Sequence, residues 1–353
     1  MLSFLPALPR IITLLILLSA CTVNPATLKR EFNIISEEKE IRLGRNASYS
    51  VVQSFGGFYE DDELQKYIDG VGQKLVKVCD RSYLQYYFYV VDSPILNAFA
   101  MPGGYVFITR SLLAELENEA QLASVLGHEI GHICARHSAI QLSEALGYQM
   151  VTLAAMAAGP DAVEMLTVAT SLSQTMKLGY SREREFQADA MGLKYMSRAG
   201  YDPMEVSRFL NKLSKKSQGL VGYSVYTADH PDIFERIREA RNKAKLMVAL
   251  DITKNKLKQK DSLGEACVTK EEVLAHQGDT FEDKYISHLD GLLYGSRENP
   301  RRIHIYTVKE GDTFNSIAEN VLGDKLQAEE IAEFNDMDVD ACLQSGTKLK
   351  IIY

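Results

Sequence analysis

The sequence predicts an α+β fold, with a mainly helical domain that contains one small sheet and a compact βααβ segment behind it. Between residues 36 and 246 apolar residues recur mostly at helical spacing. Residues 83–110 differ, because aromatic and β-branched runs flank a Pro102-Gly103-Gly104 turn there, which is typical of strands. Residues 303–353 have two short apolar strand patterns around two short helical ones. We therefore place a first domain at 21–250 and a second at 303–353.

The interval 251–302 has many charged and few apolar residues, and we interpret it as a linker with one or two helices. The whole chain has 353 residues, of which 46% are hydrophobic and 24% charged, which excludes a wholly disordered chain. The formal net charge is -8 and no lysine or arginine block is present, so nucleic acid is not an expected partner. Five cysteines are too few for a disulfide scaffold of this size.

Residues 1–20 predict a signal peptide. The apolar run from Ile11 to Leu18 is shorter than the roughly 20 residues that a transmembrane helix needs, although a short membrane anchor is the alternative. Leu18-Ser19-Ala20-Cys21 resembles a bacterial lipobox, which implies that Cys21 carries a lipid. The resemblance implies a protein anchored on the periplasmic side of the envelope, and threonine at the next position points to the outer membrane.

The segment His128-Glu129-Ile130-Gly131-His132 has the spacing of a metal site. Asn118 is placed to cap a helix, in which the two histidines lie one turn apart on one face and can bind a single ion. Glu129 lies about 100° around the helix and can reach a water beside that ion. Two imidazoles and an open position for water suit zinc. The alternative is a chance match on a helix with ordinary histidines.

A further helix is predicted to start after Ser181, and it carries two carboxylates on one face, Glu185 and Asp189. One of them could bind the metal while the other orients a ligand histidine. From the spacing alone either assignment is open, and a solvated helix face is the alternative to both.

The H-E-x-x-H motif followed by S-R-x-x-E-x-x-A-D at residues 181–189 resembles the gluzincin metallopeptidases related to HtpX and the CAAX prenyl proteases. The soluble periplasmic lipoproteins of the BepA/LoiP type are the most similar branch. Three more stretches match in the same order: residues 97–104, residues 135–138, and His230-Pro231 with Arg236-Ile237. The resemblance covers residues 30–246 and implies a zincin-type fold.

The resemblance implies one zinc ion per chain, bound by His128, His132 and Glu185. It also implies that Glu129 is the general base and acid and that Asp189 is the partner of a zinc histidine.

Two further residues are implied to act at the centre, Arg236 and His230. The resemblance leaves open whether His230 stabilises the oxyanion or caps the metal in a resting state. Substrate is expected to add as a β-strand to residues 104–109, unless these form an ordinary packed sheet edge. The implied substrate-binding residues are Asn97, Ala98, Gly104, Tyr105 and Val106.

Within residues 140–178, Leu142, Leu146, Met150 and Leu153 form an apolar stripe at helical spacing, which predicts core packing or a flap over the cleft. Of the remaining cysteines, Cys134 is expected to be a buried thiol. Cys79, Cys267 and Cys342 cannot all pair with one another.

The C-terminal segment resembles a LysM domain. Residues 305–313 match its opening strand and loop, residues 317–318 and 331–335 its two helices, and residues 346–351 its closing strand. Ser345 stands where a proline is common. The resemblance implies binding of N-acetylglucosamine chains in peptidoglycan, with Asp312 and Thr313 in the loop that grips the glycan. The alternative is a module kept for packing.

Together these features predict a lipid-anchored zinc endopeptidase that cleaves misfolded or unassembled outer-membrane or periplasmic proteins near peptidoglycan. The rival hypothesis is an envelope chaperone or scaffold with a mostly closed metal site. An intact Glu129 beside Glu185 favours the enzyme, because a scaffold has no need of a general base. Cleavage of peptidoglycan cross-links is a third interpretation, suggested by the LysM resemblance alone.

Overall fold

The computed structural model describes residues 21–158, 180–217, 230, 232–259, 268–275 and 278–353. The predicted signal peptide, Cys267 and the part of the predicted flap segment between 159 and 179 lie outside these ranges. Within them, no helix combines the length and the apolar character needed to cross a membrane.

The N-terminal part contains a hairpin, two helices and the strands of a sheet, namely β1 (Cys21–Val23), β2 (Arg30–Phe32), α1 (Glu37–Ser54), α2 (Asp62–Val76), β3 (Tyr87–Val91), β4 (Ala98–Met101) and β5 (Tyr105–Thr109). The middle is helical and contains α3 (Arg110–Glu115), α4 (Glu119–Cys134), α5 (His137–Ala158), α6 (Arg182–Arg198), α7 (Met204–Ser217), α8 (Ile233–Gln259), α9 (Lys270–Ala275) and α10 (Glu282–Ser287). The C-terminal part contains β6 (Leu293–Tyr294), β7 (Arg301–Thr307), α11 (Phe314–Ile317), α12 (Ala328–Phe334) and β8 (Lys348–Ile352). The predicted α+β class is confirmed.

The first sheet has the strand order β3-β5-β4, so β5 is its middle strand. Tyr105 pairs with Tyr87 on one side and with Met101 on the other, and all five residues of β5 are buried. The prediction that residues 104–109 add a substrate strand is therefore wrong, because the backbone groups of Tyr105 and Val106 are already paired. The carbonyl of Gly104 also accepts a hydrogen bond, from Tyr87. Both β3 and β4 are edge strands, but Tyr59 and Gln65 bond to the outer side of β3, so among the described residues the open edge is β4, which begins at Ala98.

Helix α4 is the centre of the main core, and every one of its residues is buried. Asn118 caps it by accepting from the Gln121 N–H, as predicted, whereas the Gln121 side chain accepts from Glu117 rather than closing a capping box. At the other end the fully buried Arg81 donates to the carbonyl of Ile133. A helix that carries polar groups through a core can keep them only if each finds a partner or a ligand.

The interval predicted as a linker packs against the first domain. Helix α8 runs straight through the predicted boundary at residue 250 and ends at Gln259. The hydroxyl of Tyr285 on α10 donates to the carbonyl of Leu113, and the buried Arg110 donates to the carbonyl of Leu293. Strand β6 then adds a third strand to the sheet of the C-terminal module, beside β7.

The C-terminal module, residues 303–353, is also attached to the first domain. Lys350 is almost fully buried, and its ammonium donates to the carbonyls of Ala114 and Leu116 at the junction of α3 and α4. Three apolar residues of the module belong to the core that surrounds α4: Ile303, Phe334 and Ile352. A separate small core holds the module's strands and helices together. The module is therefore a docked unit.

Cys79, Cys134 and Cys342 are free thiols. Cys134 is buried, which confirms the prediction, and it lies 3.5 Å from the Tyr86 hydroxyl, which Cys79 also contacts. Cys342 is exposed.

Candidate metal centre

Helices α4 and α6 cross in contact because glycines lie at the crossing. A Cβ added to Gly131 would stand 2.9 Å from the carbonyl oxygen of Ala188, and one added to Gly192 would stand 2.9 Å from the backbone nitrogen of His128. Any side chain at these positions would push the helices apart. Glu185, two turns before Gly192 on α6, thereby reaches the histidines of α4.

The side chains of His128, His132 and Glu185 form a buried donor set. The Nε2 atoms of His128 and His132 are 3.0 Å apart. Glu185 places Oε1 3.3 Å from Nε2 of His132 and Oε2 3.5 Å from Nε2 of His128. Tetrahedral zinc with bonds of about 2.0–2.1 Å needs donors separated by about 3.3–3.4 Å. The separations fit that ion.

The protonation of His128 supports the same conclusion. Its Nδ1 lies 2.9 Å from a carboxylate oxygen of Asp189, which can only accept, so the Nδ1 carries the proton. This leaves Nε2 of His128 as the nitrogen available to a metal, and it lies 3.0 Å from the Nε2 of His132. Burial lowers the pKa of His132 well below its ordinary value, which keeps that ring neutral. A cation bound between the two rings gives both Nε2 atoms a partner.

His230 is the fourth member of the cluster. Its Nδ1 lies 3.3 Å from Nε2 of His128 and 3.1 Å from Oε2 of Glu185, and its Nε2 lies 3.9 Å from Oε1 of Glu129. Burial lowers the pKa of His230, but the Glu185 carboxylate outweighs this effect and raises the pKa to about 9. The same negative field would attract a divalent cation.

Glu129 is buried beside this cluster and stays outside the donor set. Neither of its carboxylate oxygens takes part in a hydrogen bond within the described ranges. Burial raises its pKa. An unpaired carboxylate whose pKa is raised towards neutrality is suited to accept and return a proton.

Arg236, on α8, holds the acidic side chains in place. Its guanidinium contacts Glu185 Oε2 at 2.8 Å and both carboxylate oxygens of Asp189 at 2.7 Å. Burial raises the pKa of Asp189, but Arg236 outweighs this and holds it below its usual value. For Glu185, likewise, burial raises the pKa, and His230 and then Arg236 hold it well below the usual value. The resemblance implied that Arg236 acts in catalysis, whereas these contacts make it a positioning residue.

Two contacts of His132 were not predicted. The ring stacks on Tyr180, with centroids 4.1 Å apart, and its Nδ1 lies 2.8 Å from Nδ1 of His137. In a continuous helix His137 would point about 140° away from His132. Instead α4 ends, Arg136 takes φ +56°, and α5 begins at His137, which turns that ring back. No periodicity in the sequence signals this break.

In the C-terminal module, the two predicted glycan residues lie between β7 and α11. Asp312 accepts from the Tyr306 hydroxyl and from the backbone of Lys309. Thr313 caps α11 in a reciprocal capping box with Ser316. Residues 309–311 are exposed. Docking of the module onto the first domain therefore leaves this loop accessible.

This fold and donor set define a metallopeptidase of the H-E-x-x-H type, with a glutamate on a second helix beside the two histidines. Residues 62–244 match Peptidase family M48, and residues 306–351 match the LysM domain. The chain belongs to peptidase family M48 and carries a C-terminal LysM domain.

Several curated proteins are similar to the first domain. The chain is 31% identical over 198 residues to a beta-barrel assembly-enhancing protease of Yersinia pestis, covering 53% of this chain and 40% of that protein. It is 29% identical over 226 residues to the protein of that name in Escherichia coli K12, covering 60% and 45%. It is 30% identical over 220 residues to the mitochondrial metalloendopeptidase OMA1 of Schizosaccharomyces pombe, covering 61% and 64%. The chain thus spans less than half of the first two relatives.

Proposed function

We propose that this chain is a zinc endopeptidase that cleaves misfolded or unassembled proteins of the bacterial envelope. The observation that carries the proposal is the buried set of His128, His132 and Glu185, with Glu129 beside it making no hydrogen bond within the described residues. When bound there, zinc supplies a Lewis acid that polarises a peptide carbonyl and lowers the pKa of a water. The Glu129 carboxylate would accept a proton from a water beside the donor set and return it to the leaving amine. Digestion of casein by the wild type and by Glu129→Gln tests the proposal.

Strand β4 is the edge on which a substrate would lie. The Asn97 carbonyl accepts from Thr109, so the antiparallel ladder turns the peptide groups of Ala98 and Ala100 away from β5. β4 also packs against α4, which carries the metal-binding histidines. An extended peptide that pairs with Ala98 and Ala100 would run along the metal centre. Among the predicted substrate residues, this keeps Ala98, because the N–H and the carbonyl of Asn97 are both bonded to Thr109.

His230 supports a capped resting state. Its Nδ1 is as close to Glu185 and His128 as those ligands are to one another, so it stands where a fourth donor would. The chaperone or scaffold hypothesis draws on the same observation, because a capped centre is closed to water. We favour an enzyme that opens, since Glu129 is intact.

The variant His230→Ala is expected to cleave casein faster than the wild type. If the uncapped state is about 10% populated, the rise is at most about tenfold. Initial rates at matched zinc content measure it, and the double variant with Glu129→Gln is the control that must stay inactive. Loss of activity in His230→Ala would instead assign His230 to the oxyanion.

An anchor on Cys21 would hold the metal centre close to the membrane. β1 starts at Cys21, and Asn24, just behind this strand, donates to the carbonyl of Ala135 at the end of α4. A lipid on Cys21 would thus be attached beside the catalytic helix. The outer membrane is the proposed location, and the name of the similar bacterial proteins, beta-barrel assembly-enhancing protease, suggests β-barrel proteins as a substrate class.

Peptidoglycan is the proposed second partner, bound by the C-terminal module. The full chain is expected to sediment with purified peptidoglycan and to be released by N-acetylglucosamine oligomers. The double substitution Asp312→Ala and Thr313→Val should weaken sedimentation. Asp324→Ala, which removes a comparable cap between the module's two helices, is the control. The full chain is needed because the module shares its apolar residues with the first domain. Equal sedimentation of all variants would contradict the assignment of this loop.

A further inference from the structure

We propose that His137 and Gln187 form a directional hydrogen-bond chain that fixes the tautomer of His132 and thereby sets the zinc affinity. The inference rests on the proposed zinc site. It makes His137 a positioning residue, because it acts through His132.

The direction of the chain follows from the donors and acceptors. A His132 that binds zinc through Nε2 must carry its proton on Nδ1, which lies 2.8 Å from Nδ1 of His137. His137 must then accept at Nδ1 and carry its own proton on Nε2. That Nε2 lies 3.1 Å from Oε1 of Gln187, which can accept it. Each contact is satisfied only in this order.

The hydrogen-bond chain continues to the surface and ends at the charged side chains of Glu183 and Lys29. Nε2 of Gln187 donates to Oε1 of Glu183 at 3.2 Å, and the same oxygen accepts from Lys29 at 2.9 Å. If the amide of Gln187 were flipped, its NH₂ would face the N–H of His137 and its oxygen would face the carboxylate of Glu183. Oε1 of Gln187 therefore faces His137, and the proton of His137 lies on Nε2, the ring nitrogen that faces away from His132.

The two histidines of α4 thus have different supports. His128 donates to the Asp189 carboxylate, whereas His132 donates to a neutral ring. A partner that fixes the orientation of a metal-binding histidine typically changes metal affinity by about ten- to hundredfold when it is lost. His137 is fully buried, so a role in packing alone is the competing explanation.

Three substitutions at His137 separate the two explanations. Asparagine places an amide oxygen near the position of the ring Nδ1 and can still accept from His132. Glutamine is equally polar but carries its amide near the position of Nε2, and leucine fills the volume without any acceptor. A packing role predicts losses that follow shape, whereas the tautomer role predicts that asparagine alone restores binding.

The test measures the zinc dissociation constant of the full chain by chelator competition, with the unfolding midpoint of the metal-free protein as a second readout. We expect His137→Leu and His137→Gln to bind zinc about ten- to hundredfold more weakly, and His137→Asn to remain within about threefold of the wild type. Gln187→Leu should show a smaller loss. If the leucine variant does not fold, the asparagine and glutamine pair decides.

Equal zinc affinity in all variants, or an equal loss in all three His137 variants, would overturn the inference. Gln187→Leu with wild-type affinity would overturn the part assigned to Gln187. Failure of the proposed function is distinguishable, because then the wild type itself would not bind zinc.

Discussion

Replacing Glu129 by glutamine is expected to lower the rate of casein cleavage by about 10²–10⁴-fold, the range over which a positioned acid or base contributes. The amide fills the same space but cannot take up a proton from water. Zinc binding should be unchanged, because Glu129 lies outside the donor set. Casein digestion stopped at fixed times checks the rate, and the zinc content measured on the same samples checks metal binding.

The control for this experiment is Glu63→Gln, the same chemical change on the exposed face of α2. It should leave both the rate and the zinc content at their wild-type values. A Glu129→Gln protein that cleaves at the wild-type rate would show that another group is the base. A protein that has lost zinc would show that Glu129 holds the metal.

Replacing Arg236 by methionine is expected to lower the free energy of unfolding of the metal-free protein by about 3–5 kcal/mol, as is typical when one partner of a buried ion pair is removed. Methionine keeps much of the packing volume but leaves Asp189 as a buried carboxylate without its guanidinium, and leaves Glu185 with His230 alone. Urea unfolding at neutral pH measures the loss. Arg238→Met, at an exposed position two residues on, should change stability by less than about 0.5 kcal/mol.

The same variant should show an altered pH dependence. The folded-state pKa values of Glu185 and Asp189 lie below their unfolded values, so the stability they contribute is present above about pH 4 and is lost as the pH falls further. In Arg236→Met most of the Asp189 contribution is missing, whereas Glu185 keeps the contribution from His230. The gap between wild type and variant should therefore be widest near neutral pH and narrow below about pH 4. A constant gap would mean that Arg236 stabilises through packing.

The docked LysM module affects how the enzyme can meet its substrates. Lys350 binds the carbonyls at the start of α4, the helix that carries the metal-binding histidines. Glycan bound at the exposed loop would therefore hold the first domain itself in one orientation to the wall. In this respect the module differs from the tether that a flexible linker would provide.

How much the sequence determined is clearest at the metal centre. The one-turn spacing of His128 and His132 is a local property of a helix, and it survives in any environment that keeps the helix. The choice between Glu185 and Asp189 was open from spacing alone, since both lie on one face of α6. In the structure Glu185 lies beside the Nε2 atoms of the two histidines, and Asp189 lies beside Nδ1 of His128.

That choice depends on a close helix crossing. Gly127 and Gly131 on α4 meet Gly192 on α6, and this sets how deep each carboxylate reaches. Pairing of β5 on both sides and the packing of residues 278–302 against the first domain likewise depend on segments that lie far apart in the chain.

The sequence by itself determined the elements, the α+β class and the residue types that the metal chemistry needs, because these follow from spacing over a few turns. Only the tertiary structure decided that β4 is the open edge, that His230 lies against the donor set and that His137 supports His132. Each of these three features depends on where the chain reverses and on which backbones meet. Local periodicity sets neither the reversals nor the backbone contacts.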